Sequence, residues 1–285
     1  MDRLIDFSDY DLLIPLVQNS LIAGVLLGIM GGLIGVFVMT RDMSFAVHGI
    51  SELSFAGAAL ALLFSLNVAL GATLGSIVAA LVIAVMGSRA KDRNSIIAVL
   101  MPFGLGIGIL ALSLYEGRAA NKFGLLTGQI IAVDDPQVYW LIATSVVVVL
   151  SLLFIWRPLS FASLDPEVAE ARGVPTRALA IVFMLLLALA VAASVQIVGA
   201  LLVMTLLVTP AAAALRLTSS PLLVPVLSVL FAVVAIVGGI LLALGGGLPI
   251  SPYVTTVSFA IYLVARLIEK TKFIEKLRGP KVVIK

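Results

Sequence analysis

The chain has 285 residues, 62% of them hydrophobic and 12% charged, with a mean hydropathy of +1.23. Soluble domains carry roughly 45–50% apolar and about 25% charged residues, so a soluble globular protein is excluded. Zero cysteines rule out a disulfide framework, a thiolate metal site and a redox motif, and the net charge of +3 says little until its distribution is followed along the chain.

Six charge-free runs (12–40, 53–88, 94–115, 136–156, 178–215 and 217–265) hold 195 residues. Each accommodates at least one membrane helix of about 20 residues. They are apolar on every face, without the alternation of a membrane β-strand. The pattern predicts an all-α, polytopic membrane protein with one domain over 1–285. The first run follows Asp2, Asp6, Asp9 and Asp11, which replace the basic leader of a signal peptide.

In chain order the predicted helices are 13–39, 44–66, 68–88, 94–115, 137–156, 178–196, 198–215, 221–244 and 250–268. The breaks fall at Arg41-Asp42, Asn67, the charged cluster 89–93, the loops 116–136 and 157–177, Gln196, Arg216 and Gly245-Gly246-Gly247, residue types that punctuate helices. Gln196 is the weakest break. Segment 198–215 reads equally as two half-helices, which lowers the count from nine to eight.

Lys and Arg mark the sides of the membrane. With the loops near 41, 89–93, 157–177 and 216 and the C-terminus inside, the inside holds 15 Lys/Arg and the outside only Arg3, Arg118 and Lys122. This predicts an outer N-terminus and a cytoplasmic C-terminus with a basic tail over 269–285. The tail's Phe273, Ile274 and Leu277 suit an interfacial helix as well as a disordered basic segment. Gly24, Gly28 and Gly32 recur every fourth residue, as do Gly71/Gly75 and Gly104/Gly108, a spacing that lets helices approach closely in lipid. No internal repeat is visible, so an inverted-repeat carrier gains no support.

Within the spans, Glu52 is the only acid and His48 the only histidine of the chain. Four residues apart, they share one helix face. An intramembrane charge costs at least about 2.5 kcal/mol on insertion scales and is a functional-site hypothesis by default. Imidazole and carboxylate form a ligand set for a first-row divalent metal. They also serve a proton relay, or a plain hydrogen-bonded pair that locks helices. The small neighbours Gly49, Ser51 and Ser54 would leave room for an ion path. Two donors are too few for a closed site, and a symmetric dimer would supply four.

The loop 157–177 carries its own helix signals. Asp165 reads as an N-cap, Pro166 as the first helical position, Glu167 as a first-turn acid and Gly173 as the C-cap, with Pro175 beyond it. Glu170 lies between them. The result is a short rigid element between two spans.

Four stretches resemble one family. They are the His48/Glu52 segment with Gly57; Ser163-Leu164-Asp165-Pro166-Glu167 with Ala171-Arg172-Gly173; Val198-Gly199-Ala200-Leu201-Leu202 continuing to Leu207-Val208-Thr209-Pro210-Ala211-Ala212-Ala213; and Gly124-Leu125-Leu126-Thr127-Gly128 followed by Asp134-Asp135-Pro136. The chain resembles the transmembrane permeases of the zinc/manganese class of bacterial ABC importers over nearly its whole length. The resemblance implies a multi-pass protein of the bacterial inner membrane that imports a divalent ion, Zn²⁺ or Mn²⁺, bound transiently at His48 and Glu52 on a dimer axis. It implies a second copy of the chain, two cytoplasmic ATPase subunits and an extracytoplasmic metal-binding protein as partners, beside membrane lipid and without nucleic acid. Asp165, Pro166, Glu167, Glu170 and Gly173 match the coupling helix, 165–173, and Glu116, Asp134 and Asp135 fall on the face expected to meet the binding protein. No cofactor is expected to stay bound, and the chain has no Walker sequence, so ATP chemistry belongs to the partner and this chain is not an enzyme. One departure stands out. The family places Asp and then His where this chain has His48 and then Glu52.

Three rival readings compete with it. A permease for a chelated metal, siderophore or corrinoid needs a larger cavity. A membrane-embedded zinc hydrolase needs a set such as His-Glu-x-x-His, which a single histidine cannot supply. A channel or carrier that uses no ATP leaves the capped loop without a purpose.

Overall fold

The computed structural model describes residues 17–87, 90–117, 124–125, 133–200, 202–246 and 250–278. Asp2, Asp6, Asp9 and Asp11, Arg118 and Lys122, residues 126–132, Leu201, Gly247 and the tail beyond 278 lie outside these. The described residues form helices joined by turns: α1 (Gln18–Thr40), α2 (Ser44–Leu63), α3 (Val68–Met86), α4 (Ala90–Leu114), α5 (Asp135–Leu164), α6 (Pro166–Ala171), α7 (Thr176–Val198), α8 (Val203–Leu207), α9 (Thr209–Leu217), α10 (Leu223–Gly246) and α11 (Ile250–Arg278). Eight of them are long and apolar enough to cross a membrane.

The eight-helix alternative holds, and the reason is local. α7 ends where Gly199 takes φ +85°. The chain resumes as the short α8 and breaks again at Val208, with Pro210 in the first turn of α9. Pro210 has no N–H to give the carbonyl four residues back, so one continuous helix is disfavoured. Two boundaries differ from expectation. α5 continues through Arg157 and Pro158 to Leu164, because Leu159 and Ala162 are buried in the core and packing offsets one lost hydrogen bond. α11 likewise runs past 268 to Arg278, so the basic stretch to 278 continues the last span.

α1, α2 and α7 form the inside of the bundle, while α3, α4, α5 and α11 expose most of their length. The glycine rows are the contact seams. A Cβ at Gly28 would lie 2.8 Å from the Val233 side chain, and one at Gly32 2.6 Å from the Val229 Cα, so α1 meets α10 backbone to backbone. Gly57, Gly71 and Gly75 do the same between α2 and α3, and Gly104 and Gly108 seat α4 against Glu52, Leu53 and Phe55 of α2. Dispersion at such short range replaces the hydrophobic drive that lipid cannot supply.

The helix turns are sealed by their own backbone. Met43 N–H bonds the Val38 carbonyl at 2.8 Å and Asp42 N–H bonds Met39 at 3.3 Å, with Asp42 at φ +51°. This paired pattern with a left-handed residue is a Schellman cap. Leu66 to Ala61 with Ser65 to Leu62, and Val174 to Ala169 with Gly173 to Glu170, repeat it.

Two ends of the bundle follow from side-chain ties. Asn19 at the start of α1 donates to Val133 and to Asp135 at the start of α5. At the other end Arg41 donates to Ser163, Val36 packs with Ala214 and Val224, and Arg216 pairs with Glu269. The broken 199–217 segment therefore runs back toward the Arg41 end, and α1 begins at the end opposite to the one where α11 finishes.

Candidate metal centre

The pair singled out in the sequence sits on α2, the helix enclosed by α3, α4, α7 and α8. His48 Nε2 lies 3.6 Å from Glu52 Oε1, and the side chains are 30% and 6% exposed. Glu52 is thus sealed from one side, while His48 opens onto the surface of the single chain. At 3.6 Å the contact is longer than a hydrogen bond. His48 Nδ1 and Glu52 Oε2 are buried, and neither has a hydrogen-bond partner among the described residues. A buried polar atom without a partner costs free energy, and one on an ionisable group costs more. The arrangement thus holds two unused lone-pair positions on groups that suit a divalent cation.

Among the described residues, no cluster of three or more His, Cys, Asp or Glu could hold a metal ion. One chain therefore offers two protein donors and no closed four-ligand cage. The small neighbours have other work. Gly49 faces Ile97 and Met101 of α4. Ser51 donates to the Ala200 carbonyl at 3.0 Å, and Ser54 donates to Ala72 at 3.0 Å. These contacts fix α2 against its neighbours.

The capped element is present as α6. Asp165 accepts from Val168 N–H at 3.0 Å, Pro166 opens the helix, Glu167 lies in its first turn, and Gly173 takes φ +81°. Glu167 and Glu170 are exposed, as are the apolar Leu164 and Val168, at 83% and 45%, while Ala169 is buried against the bundle. A rigid projection thus carries two apolar and two acidic side chains on its outside.

At the opposite end, Glu116 is exposed. Asp134 caps α5 in a reciprocal box, accepting from Gln137 N–H at 3.0 Å while Gln137 Oε1 accepts from Asp134 N–H. Asp135 accepts from Asn19 at 2.8 Å. Both aspartates therefore organise the start of α5 as well as facing outward. Beside them a cavity of about 710 Å³ is lined by Asn67, Asp134, Gln137, Trp140 and Gln196 among others. Sequence reading treated Asn67 and Gln196 only as helix breaks and missed this convergence. The Asp-x-x-Gln spacing at 134–137 was the available signal. No comparable signal marked Arg41, whose partners are 122 and 142 residues away.

The profile of a family described as the ABC 3 transport family matches residues 13–269. The manganese transport system membrane protein MntC of Halalkalibacterium halodurans is 30% identical over 242 residues, covering 84% of this chain and 82% of that protein. MntC of Listeria monocytogenes is 31% identical, over 78% and 80% of the two chains. The high-affinity zinc uptake system membrane protein ZnuB of Haemophilus influenzae is 23% identical, over 82% and 88%. The solved structure of PsaBC from Streptococcus pneumoniae in complex with Fab includes a chain with the same fold, at a TM-score of 0.83 and 24% identity, covering 94% of this chain and all of that one.

Proposed function

This chain belongs to the ABC 3 transport family, a family of ABC transporter permeases, and from that premise we propose that it forms the ion path of an ATP-driven importer for manganese or zinc. The observation that carries the reading is the buried Glu52 carboxylate, one helical turn from an imidazole, with one oxygen and one nitrogen of the pair unpartnered among the described residues. Relatives named for manganese at 30–31% identity support Mn²⁺ as the first ion to test, with Zn²⁺ beside it. Imidazole and carboxylate suit both.

The working unit is a homodimer. Each chain supplies two donors, and His48 is open at the surface of the single chain, where a second copy can face it. Two imidazoles and two carboxylates then satisfy a cation stripped of most of its water. A site split across a mobile interface also releases its ion, as transport requires.

The Lys/Arg asymmetry supports placing the Arg41, Ser163 and Arg216 end in the cytoplasm, with the C-terminus inside and the N-terminus outside. α6 then projects toward two ATPase subunits, which hydrolyse ATP, and Asp165, Pro166, Glu167, Glu170 and Gly173 shape that projection. Glu116, Asp134 and Asp135 lie on the outer face, where an extracytoplasmic metal-binding protein delivers its cargo. The test is transport by the reconstituted complex in proteoliposomes, with external ⁵⁴Mn or ⁶⁵Zn and internal ATP. Uptake that requires the ATPase subunit and fails with His48→Ala or Glu52→Ala supports the reading. Uptake at the parent rate in both variants overturns the site.

A further inference from the structure

The turn between α1 and α2 is held from two sides. On one side, Arg93 Nη2 of α4 donates to the carbonyls of Arg41 and Asp42, both at 3.3 Å. On the other, Arg41 Nη1 donates to Ser163 Oγ at 3.2 Å. Ser163 donates in turn to the Leu159 carbonyl at 2.6 Å, and it stands two residues before Asp165, the cap of α6. The Arg41 guanidinium also lies 5.8 Å from the Phe183 ring centroid, on α7, the helix that leaves α6. That ring packs edge-on against Phe37 at 5.9 Å, and Phe37 against Trp156 of α5 at 4.7 Å. Arg41 therefore fills the cleft between the helices entering and leaving α6, while its own backbone begins the turn into α2.

This placement is costly. Burial, and secondly the neighbouring Arg93 charge, push the Arg41 guanidinium below its ordinary value. Among the described residues no carboxylate lies within ion-pair distance of it. The group still remains charged at any physiological pH. A half-buried cation without an anionic partner is a poor stability device, so stability alone does not account for its placement. The connection it makes is between the end of α5, two residues before the cap of α6, and the α1–α2 turn, seven residues before His48.

We infer that Arg41 is a positioning residue that carries displacement of α6 to the α1–α2 turn, and so to the helix bearing His48 and Glu52. The inference rests on the reading of α6 as the ATPase contact. With the Arg41–Ser163 link intact, the turn follows the end of α5. With it cut, Arg93 leaves the turn attached to α4, and α6 moves without taking α2 along. Coupling between distant sites is carried by such discrete side-chain ties.

The chain has no cysteine, so one thiol can report. Phe45 is 62% exposed and lies one turn before His48. In the complete complex in nanodiscs, a Phe45→Cys thiol should label at rates that differ between the nucleotide-free and vanadate-trapped states. Adding Arg41→Gln should remove that difference while ATP hydrolysis persists, and in the cysteine-free complex it should lower metal imported per ATP by about three- to thirty-fold. Ser163→Ala should do the same, and the double variant should be no worse than either alone, as expected for two ends of one contact. Arg41→Lys, which keeps a donor able to reach Ser163, should restore most of the coupling. A merely structural role would lower assembly and ATP hydrolysis together and would leave the labelling difference in whatever complex remained. A labelling difference that survives Arg41→Gln and Ser163→Ala, or none in the parent, overturns the proposal. Should Arg41→Gln prevent assembly, the milder Ser163→Ala decides. Failure of the α6 reading shows as normal metal-stimulated ATP turnover in Gly173→Pro, and failure of the His48/Glu52 site shows in uptake alone, so both are distinguishable from failure of this link, which the labelling reads without metal.

Discussion

Ser51 of α2 and Ala200 of the unwound stretch after α7 are joined by a hydrogen bond of 3.0 Å, with Ser51 fully buried between the turns that carry His48 and Glu52. The bond ties the helix that bears the candidate pair to the break between α7 and α8. Gly199, at φ +85°, turns the Ala200 carbonyl out of any ladder, and Ser51 supplies its donor. Ser51→Ala should leave that buried carbonyl without its side-chain donor and cost about 1–3 kcal/mol. Thermal unfolding of the purified protein in detergent checks this, with Ser54→Ala, which removes a like bond to Ala72, expected to fall in the same range.

The glycine seams should not tolerate a methyl group. A Cβ at Gly57 would collide with the Gly71 carbonyl, and one at Gly32 would lie 2.6 Å from Val229 Cα. Backbone cannot move aside as a side chain can, so Gly32→Ala and Gly57→Ala should each cost at least about 1–3 kcal/mol, the range for overpacking. Gly106 has nothing within 4 Å of the same position, and Gly106→Ala should leave stability of the single chain unchanged or raise it slightly through helix propensity. Melting temperatures of the three variants in one detergent make the comparison. Equal melting would remove the seam argument.

How much of this was readable beforehand varies with the kind of information involved. Burial in lipid requires continuous apolar runs, so α1 to α5, α7, α10 and α11 stood out by composition. Caps that depend on residue type were equally open: Asp165 and Pro166 fall where predicted, and Gly173 takes the left-handed position just past the C-cap Arg172. Caps made by backbone alone were not: Asp42 and Ser65 take left-handed φ values that no glycine announced. The continuation of α5 through Pro158 was hidden because tertiary packing overrode a local breaker. At the candidate site the two ionisable residues were visible as anomalies in an apolar run. The roles of Gly49, Ser51 and Ser54 were not, since their partners Ile97, Ala200 and Ala72 are set by helix packing.

The projecting helix should act as a rigid unit in coupling. Gly173 at φ +81° closes α6, and proline, locked near φ −65°, cannot take that conformation. Gly173→Pro should leave membrane insertion intact and abolish metal-stimulated ATP turnover in the assembled complex. Asp165→Ala removes only the cap to Val168 and should weaken the short helix by about 1 kcal/mol, giving a partial loss. ATPase assays with and without the metal-loaded binding protein separate the two. Normal stimulation in Gly173→Pro would exclude α6 as the contact.

The charge of Glu52, rather than its shape, should decide transport. Glu52→Gln preserves volume and the contacts of its stem, yet removes the anion that two copies would present to a divalent ion. If the pair merely locked helices, Gln would still face the imidazole and uptake would persist. If the pair binds the ion, uptake by the Gln variant should fall at least about ten-fold, the low end of the loss usual when a group supporting a metal site is removed, while dimer formation and copurification of the ATPase stay unchanged. His48→Asp puts a second acid beside Glu52 in place of the imidazole. It replaces a nitrogen donor by oxygen and should shift preference toward the harder ion, manganese over zinc. Competition between ⁵⁴Mn and unlabelled zinc in proteoliposomes measures that shift directly. Full uptake by Glu52→Gln would leave the pair a structural contact and take the ion path elsewhere.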